Sequence, residues 1–309
     1  MRILIIGLGS IARKHISALQ NLNIKDLNIY ALRSNLNSEI EEGIENVYNL
    51  ENLEISFDFA IISNPTNLHF EFIEKLARLN IPLFIEKPAV HTLKSVDKLI
   101  ELIESKQLVT YVACNLRFHP CIKYLKNKLS EENLQVNEVN VYCGSYLPDW
   151  RPNVDFRKVY SANASMGGGV HLDLFHELDY VNWLFGTPIK SISTLRNVST
   201  LNIDAIDYAN YTLEYNKFTA NIILNYYRKK SKRSIEVLFN DQILEVDLIN
   251  NKIINDDNEI VFEASNFEVK NTYSFQLDYF INCLIKKSKP MNSLKESIEI
   301  LKIVLKDEE

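Results

Sequence analysis

The 309-residue chain contains no run of about 18 apolar residues, the minimum for a membrane-spanning helix, so hydropathy excludes a spanning segment. It has little cysteine. Cys114, Cys121, Cys143 and Cys283 show no C-x-x-C spacing, which points to buried reduced thiols rather than to disulfides or a metal cluster. The six histidines lack zinc-like spacing, and no metal is expected. There is no excess of positive charge: a net charge of −6 and a pI near 5.7 argue against nucleic acid as the main partner. The apolar run before Gly7 is about five residues, shorter than the h-region of a signal peptide. The expectation is a cytoplasmic protein. No internal repeat or low-complexity tract occurs. At 46% hydrophobic and 24% charged, the composition is that of a globular protein with a full core, long enough for one large domain or two ordinary ones.

What is present falls into two patterns. In the first 120 residues, apolar runs ("RILII" at 2–6, "LNIYAL", "FDFAIIS" at 57–63, "IPLFIEKP", "VTYVACN") alternate with helical stretches ("IARKHISALQN", "NLHFEFIEKLARLN", "SVDKLIELIESKQ"). Continuous apolar strands between helices predict a doubly wound parallel sheet, a Rossmann-type α/β domain. The remainder reads as an α+β domain with a largely antiparallel open sheet. Its strands include "NEVNVYCGSYL", "IKSISTLRNVST", "IDYANYTLEY", "FTANIILNYY", "RSIEVLFN" and "QILEVDLI", with turn residues at 216–217, 240–241 and 250–251. Two helices, about 273–287 and 293–306, close the chain. The predicted domains are residues 1–120 and 121–309, the C-terminal helices being candidates to pack back on the first. The boundary between two such domains is the default ligand site. The exposed face of the second sheet is a candidate surface for homo-oligomer formation.

Three motifs carry chemistry. "GLGSIA" (7–12) fits G-x-G-x-x-A after a strand and at the start of a helix, so Gly7, Gly9, Ser10 and Ile11 would admit a pyrophosphate to the helix N-terminus. A glycine turn without ligand and a methyl-donor nucleotide are the alternatives. The second strand ends "YALRS", with no acid for the ribose hydroxyls before Glu39. Arg33 and Ser34 suit a 2′-phosphate, favouring NADP over NAD, unless Arg33 is only a solvated charge. "FIEKP" sets Glu86 and Lys87 at the carboxyl end of a parallel strand, where a lysine can donate to a substrate oxygen. The triplet is also a common loop. In "GGGVHLDLFHELDY" (167–180), Val170, Leu174, Leu178, Val181 and Phe185 form an apolar stripe of one predicted helix. Asp173, His176 and Tyr180 lie beside it, and Glu177 lies at the core edge, where it needs a partner. The glycines would let another chain or a ligand come close. The plain alternative is a surface Asp–His pair. Upstream, Trp150 offers a flat face to a sugar ring, and Arg151 and Arg157 offer forks to an anion. Alternatively Trp150 packs in a domain interface and the arginines pair with Asp149 and Asp155. The basic run "RKKSKR" (228–233) reads as a solvated hairpin, or else as a contact for a sugar-linked phosphate.

Taken in order, "GLGSIARKH", "SNPTNLH" (63–69), "IEKP", "NLRFHP" (115–120) and the glycine-led helix resemble the Gfo/Idh/MocA oxidoreductases, the family of inositol dehydrogenases and glucose–fructose oxidoreductase, over essentially the whole chain. The resemblance implies a nicotinamide cofactor, with Asn64, Pro65 and His69 joining Glu86 and Lys87 around it. It also implies a catalytic Lys87, a helix histidine, and Arg117 among the substrate contacts with Asp173, His176 and Glu177. The family usually spaces its aspartate and histidine by four. Here His176 follows Asp173 by three and Glu177 takes the fourth place, so either could be the proton acceptor. "YLPDWRPNVDFRKVYSANASMGGG" resembles a subgroup associated with surface-glycan and nonulosonic-acid gene neighbourhoods, which suggests a sugar, sugar acid or activated sugar. The implied reaction is hydride transfer between NADP, or NAD, and a carbinol or carbonyl carbon of a carbohydrate or cyclitol. The rival is a non-catalytic NADP-binding sensor.

Overall fold

Apolar runs without a polar break become strands covered on both faces. Ile3–Ile6 and Phe59–Ile62 are fully buried in a six-stranded parallel sheet. Its strands are β1 (Arg2–Ile6), β2 (Asn28–Leu32), β3 (Ile44–Val47), β4 (Phe59–Ile62), β5 (Leu83–Ile85) and β6 (Thr110–Val112), in the order β3-β2-β1-β4-β5-β6. Helices α1 (Ser10–Asn21), α2 (His69–Arg78) and α3 (Val96–Ser105) connect them. The order reverses between β1 and β4, the switch point at which such sheets hold ligands.

The computed structural model describes residues 1–37, 40–50, 55–131 and 133–305. They divide into two compact units, Met1–Asn115 with Val269–Glu299, and Leu116–Glu268 with the chain from Ile300. The first unit therefore ends five residues before the expected boundary at 120 and takes back a C-terminal segment. The reason is aromatic packing. Helix α7 (Asn271–Lys286) brings Phe280 against Phe59, Phe84 and Tyr111, with ring centroids 5.3 to 5.9 Å apart. The exposed edge of β6 is covered too: Val112 N–H donates to Asn292 O (2.8 Å), Asn292 Nδ2 to Val112 O (3.0 Å) and Leu294 N–H to Thr110 Oγ1 (3.0 Å).

The second unit is an eight-stranded sheet, β7 (Val136–Tyr146), β8 (Lys190–Arg196), β9 (Tyr208–Glu214), β10 (Thr219–Asn225), β11 (Tyr227–Phe239), β12 (Ile243–Asp247), β13 (Lys252–Asn255) and β14 (Ile260–Glu263). The order is β14-β13-β12-β11-β7-β10-β9-β8, antiparallel except for β7 with β10. Alternation decides which face is covered: Val139, Val141, Ala209, Tyr211, Ala220, Ile222, Ile235 and Val237 are buried on one side. The opposite side carries Asn140, Tyr142, Asn210, Thr212, Asn221 and Glu236. Helices α4 (Pro120–Lys128), α5 (Val170–Asp173) and α6 (Phe175–Phe185) belong to the same unit, and α8 (Leu294–Val304) closes the chain; Lys306, in the predicted last helix, lies outside the described residues.

Two local readings are corrected. The glycine-led helix is not continuous: it breaks at Leu174 (φ −98°, ψ 28°) into α5 and α6. The basic run is no hairpin. It lies within β11, where five residue steps from Tyr227 to Lys232 oppose only two on β7, from Tyr146 to Gly144, leaving three extra residues as a bulge.

Buried polar groups tie the second unit together. Arg117 forks onto Asp179, through Nε to Oδ2 (2.9 Å) and Nη2 to Oδ1 (2.6 Å). His119 caps α4, its Nδ1 accepting from Cys121 N–H at 3.2 Å, while Nε2 lies 3.1 Å from Asn251 Oδ1. Burial pushes the His119 pKa down to about 4. Unfolded, the same imidazole titrates near 6.5, so the unfolded chain binds the extra proton first. The stability His119 contributes is thus full above about pH 6.5 and is lost as pH falls toward 4. Replacing it by asparagine, which still offers an oxygen to the cap, is expected to flatten the pH dependence of urea-unfolding stability in this window by about 1.4 kcal/mol per pH unit. An unchanged slope would mean that His119 is already charged in the folded protein.

Candidate active site

The carboxyl ends of β1, β4 and β5 are joined by their own loops. Gly7, just past β1, has φ +84°, and a Cβ there would sit 2.5 Å from the backbone of Asn64, just past β4. Ser63 Oγ donates to Ile6 O and Gly7 O, both at 3.1 Å. The His69 ring is 1% exposed and spans the next gap, with Nε2 2.9 Å from Asn64 O and Nδ1 3.2 Å from both Pro88 O and Ala89 O. Burial, the largest influence, lowers its pKa. His69, expected beside the cofactor, is thus enclosed as a strut between loops.

Glu86 has a similar structural task. It is 9% exposed; its Oε1 accepts from His15 Nε2 (2.5 Å) and its Oε2 from the backbone N–H of Lys87 (3.2 Å). Burial alone would raise its pKa, but the His15 hydrogen bond and the charges of His15 and Lys87 outweigh burial and hold the carboxyl below its ordinary value. The result is a fixed platform for Lys87, which is half-buried two residues beyond β5.

Above β1, Gly9 caps α1 without a side-chain hydrogen bond, and the first turn carries no acid. A Cβ on Gly9 would meet nothing within 4 Å. Free first-turn N–H groups, the positive helix end and open space over Gly9, with Ser10 exposed and Ile11 half-buried beside it, fit a pyrophosphate. Asn64 is half-buried and Pro65 exposed. Arg33 is half-buried at the end of β2, its N–H bonded to Val47 O, and Ser34 is exposed. Glu39 lies outside the described residues, and the next acid, Glu41, pairs with Arg13 at 2.6 Å.

In the second unit the tight packing of the glycine run is internal. A Cβ on Gly168 would lie 2.1 Å from Tyr160 O, and one on Gly169 2.6 Å from the His171 ring, so the run is pressed against its own loop. Asp173 and His176, half-buried, flank the break at Leu174. Tyr226 donates its hydroxyl to Asp173 Oδ2 at 2.5 Å. Glu177 is 0% exposed and accepts from Arg233 Nε at 2.6 Å. It has found its partner, 56 residues away. Arg117, expected among the substrate contacts, is 3% exposed and occupied by Asp179, which corrects that assignment. Trp150 donates Nε1 to Ser145 Oγ (2.8 Å) and packs edge-on against Tyr226. Arg151 and Arg157 are exposed, and among the described residues neither forms an ion pair. Arg157 lies over the Phe156 ring at 4.4 Å instead. Lys87 belongs to one unit, and Asp173 and His176 to the other. Sequence reasoning missed Tyr226 and Arg233; the only hint of the latter was the unexplained basic run.

Residues 1–114 match the oxidoreductase family with an NAD-binding Rossmann fold, and residues 135–245 match the GFO/IDH/MocA C-terminal domain. The chain belongs to the Gfo/Idh/MocA oxidoreductases. A myo-inositol 2-dehydrogenase of Thermotoga maritima is 27% identical over 62% of this chain and 57% of its own length. An NADP-dependent scyllo-inositol 2-dehydrogenase of Bacillus subtilis is 27% identical over 57% of this chain and 48% of its own. The matched region thus spans about half the length of these curated relatives. Among solved structures, the WlbA dehydrogenase from Bordetella pertussis, in complex with NADH and UDP-GlcNAcA, shares the fold at a TM-score of 0.81 with 16% identity, covering 98% of this chain and 93% of that one. The UDP-N-acetylglucosamine 3-dehydrogenase GnnA from Acidithiobacillus ferrooxidans does so at 0.78 with 20% identity, covering 99% and 96%. The cofactor of this Gfo/Idh/MocA chain is a nicotinamide dinucleotide.

Its glycines allow a test that needs no substrate. Gly9→Ala should unfold in urea within roughly 0.5 kcal/mol of wild type yet bind NADPH about ten-fold more weakly or worse, because the methyl enters only the ligand's space. Gly7→Ala should lose roughly 1–3 kcal/mol or more of stability, because the methyl meets the Asn64 backbone. Unaltered NADPH binding in Gly9→Ala would place the cofactor elsewhere.

Proposed function

We propose that the chain is an NAD(P)-dependent dehydrogenase of a CH–OH group in a sugar, sugar acid, activated sugar or cyclitol. The observation that carries the reading is the fate of Glu177. With that carboxylate committed to Arg233, His176 is the proton-transfer group that α6 presents beside Asp173. The bound nicotinamide supplies the hydride acceptor or donor. Gly7, Gly9, Ser10, Ile11, Arg33, Ser34, Asn64 and Pro65 would hold it. Lys87, fixed through Glu86 and His15, donates to the carbinol oxygen and stabilises the developing alkoxide. His176 takes the hydroxyl proton, and Asp173, held by Tyr226, orients the imidazole or a neighbouring hydroxyl. Exposed Trp150, Arg151 and Arg157 form the wall that receives the substrate, its arginines suited to an anionic sugar such as the one named with WlbA. The working unit is a homo-oligomer in the cytoplasm; no described helix is long and apolar enough to cross a membrane.

Turnover is best sought with a panel of inositols, UDP-sugars and UDP-sugar acids under both cofactors. Lys87→Ala and His176→Ala should each lower kcat by about 100-fold or more while NADPH affinity stays within a few-fold. Wild-type turnover in His176→Ala would overturn the assignment of the base. Arg151→Ala and Arg157→Ala should raise KM for an anionic substrate roughly ten- to a hundred-fold; a neutral physiological substrate would refute the anion wall.

Cofactor choice rests on Arg33, which supports NADP. Arg33→Ala should weaken NADPH about ten-fold or more and NADH much less, read by fluorescence titration. Tighter wild-type binding of NADH than NADPH would reverse the preference.

A further inference from the structure

The bulge and the break in the glycine-led helix meet at one place. Helix α6 starts afresh at Phe175 after the break, so His176 and Glu177 lie in its first turn. First-turn N–H groups have no intrahelical acceptor, and Glu177 N–H is tied back to Leu174 O at 3.2 Å. Two anchors hold the chain on either side of His176. Asp173, before the break, is bonded to the Tyr226 hydroxyl; Glu177, after it, is bonded to Arg233. Both anchors come from one short segment, residues 226–233.

The bulge sets the spacing of those anchors. In register with β7, a regular strand continuing from the Tyr227–Tyr146 pair would place Lys230 opposite Cys143. The three extra residues place Arg233 there instead, on the inner face. Arg233 reaches Glu177 with a guanidinium nitrogen, in a pocket shared with the buried Cys143 thiol, whose pKa burial drives upward. The looped-out cations are held outside by tyrosines of β7, with Lys229 3.7 Å above the Tyr146 ring and Arg228 5.0 Å from the Tyr142 ring. The basic run is therefore a spacer with a fixed seat.

We infer that residues 226–233 form a clamp that positions His176, with Tyr226 and Arg233 as positioning residues acting through Asp173 and Glu177. A pin at Glu177 sets the rotation of α6, and at about 100° per residue that rotation sets the direction of its neighbour. The inference rests on the reading of His176 as the proton acceptor.

The test compares Tyr226→Phe, Arg233→Lys and the double variant Glu177→Leu/Arg233→Met with wild type and with His176→Ala. The double variant removes both charges together, so no unpaired charge is left buried, and apolar replacement of such a pair commonly preserves folding. Turnover is assayed with myo-inositol, scyllo-inositol and UDP-N-acetylglucosamine under both cofactors. The His176 ring resonance, assigned by its loss in His176→Ala, is followed by NMR in the NADPH-bound protein. In the double variant we expect a melting temperature near that of wild type and NADPH affinity within two-fold. We expect kcat to fall ten-fold or more with KM changed less than three-fold, and a shifted or broadened His176 resonance. Arg233→Lys should recover part of kcat and of the wild-type resonance, and Tyr226→Phe should show an intermediate loss. A folded double variant with wild-type kcat and an unmoved His176 resonance would overturn the clamp while leaving His176, if His176→Ala is inactive, as the base. Wild-type turnover in His176→Ala would overturn the site reading and the clamp's purpose with it.

Discussion

A carboxylate taken out of water loses hydration worth several kcal/mol and must be met by a donor at hydrogen-bond distance. Much of this fold follows from that requirement. Asp179 is met by the fork of Arg117, Glu177 by Arg233, Glu86 by His15, and Asp207 by the Ser199 hydroxyl. The first three pairings join segments distant in sequence, so each also fixes where an element sits. The first two hold α6 at its buried side, one to the segment before α4 and one to β11. The third holds the backbone of Lys87.

The same requirement separates the groups that support from the half-buried groups of the candidate site. His69, Glu86, Arg117 and Glu177 all look like site residues in a linear reading, being polar and close to motifs. Their burial and their partners make them structural: each has its hydrogen-bonding capacity directed at backbone or at a charge inside its own unit. Lys87, Asp173 and His176 differ in being half-buried, with access to a ligand. In the proposed reaction a proton-transfer group needs that access together with fixed direction, which the supporting pairs would provide. The glycine run belongs with the supports, since its missing side chains make room for Tyr160 and His171 of its own loop.

Much of the fold was legible because its signals are local. Unbroken apolar runs marked β1, β4 and β5, strand-like stretches on either side of the turn at 216–217 marked β9 and β10, and G-x-G-x-x-A marked the turn into α1. The short β3, β13 and β14 and the nine-residue α4 escaped because few residues carry their periodicity, and α4 begins on a proline that reads as a break although it is suited to the first helical position. The bulge in β11 escaped because a run of five cations and a serine cancels the alternation that would identify a strand.

The residue types of the candidate site were thus set by the sequence alone: a lysine at a strand's carboxyl end, an aspartate and a histidine three residues apart, and a glycine turn fitted to a dinucleotide. Such choices are local, because a side chain's functional groups and the backbone freedom of glycine do not depend on distant residues. The tertiary structure alone buried Glu177 against Arg233, enclosed His69 and Arg117, and returned residues 269–299 to the first unit. Those outcomes depend on which buried charge or aromatic ring finds which partner. That depends on strand register, where the three-residue bulge between Tyr227 and Lys232 determines that Arg233, rather than Lys230, stands opposite Cys143.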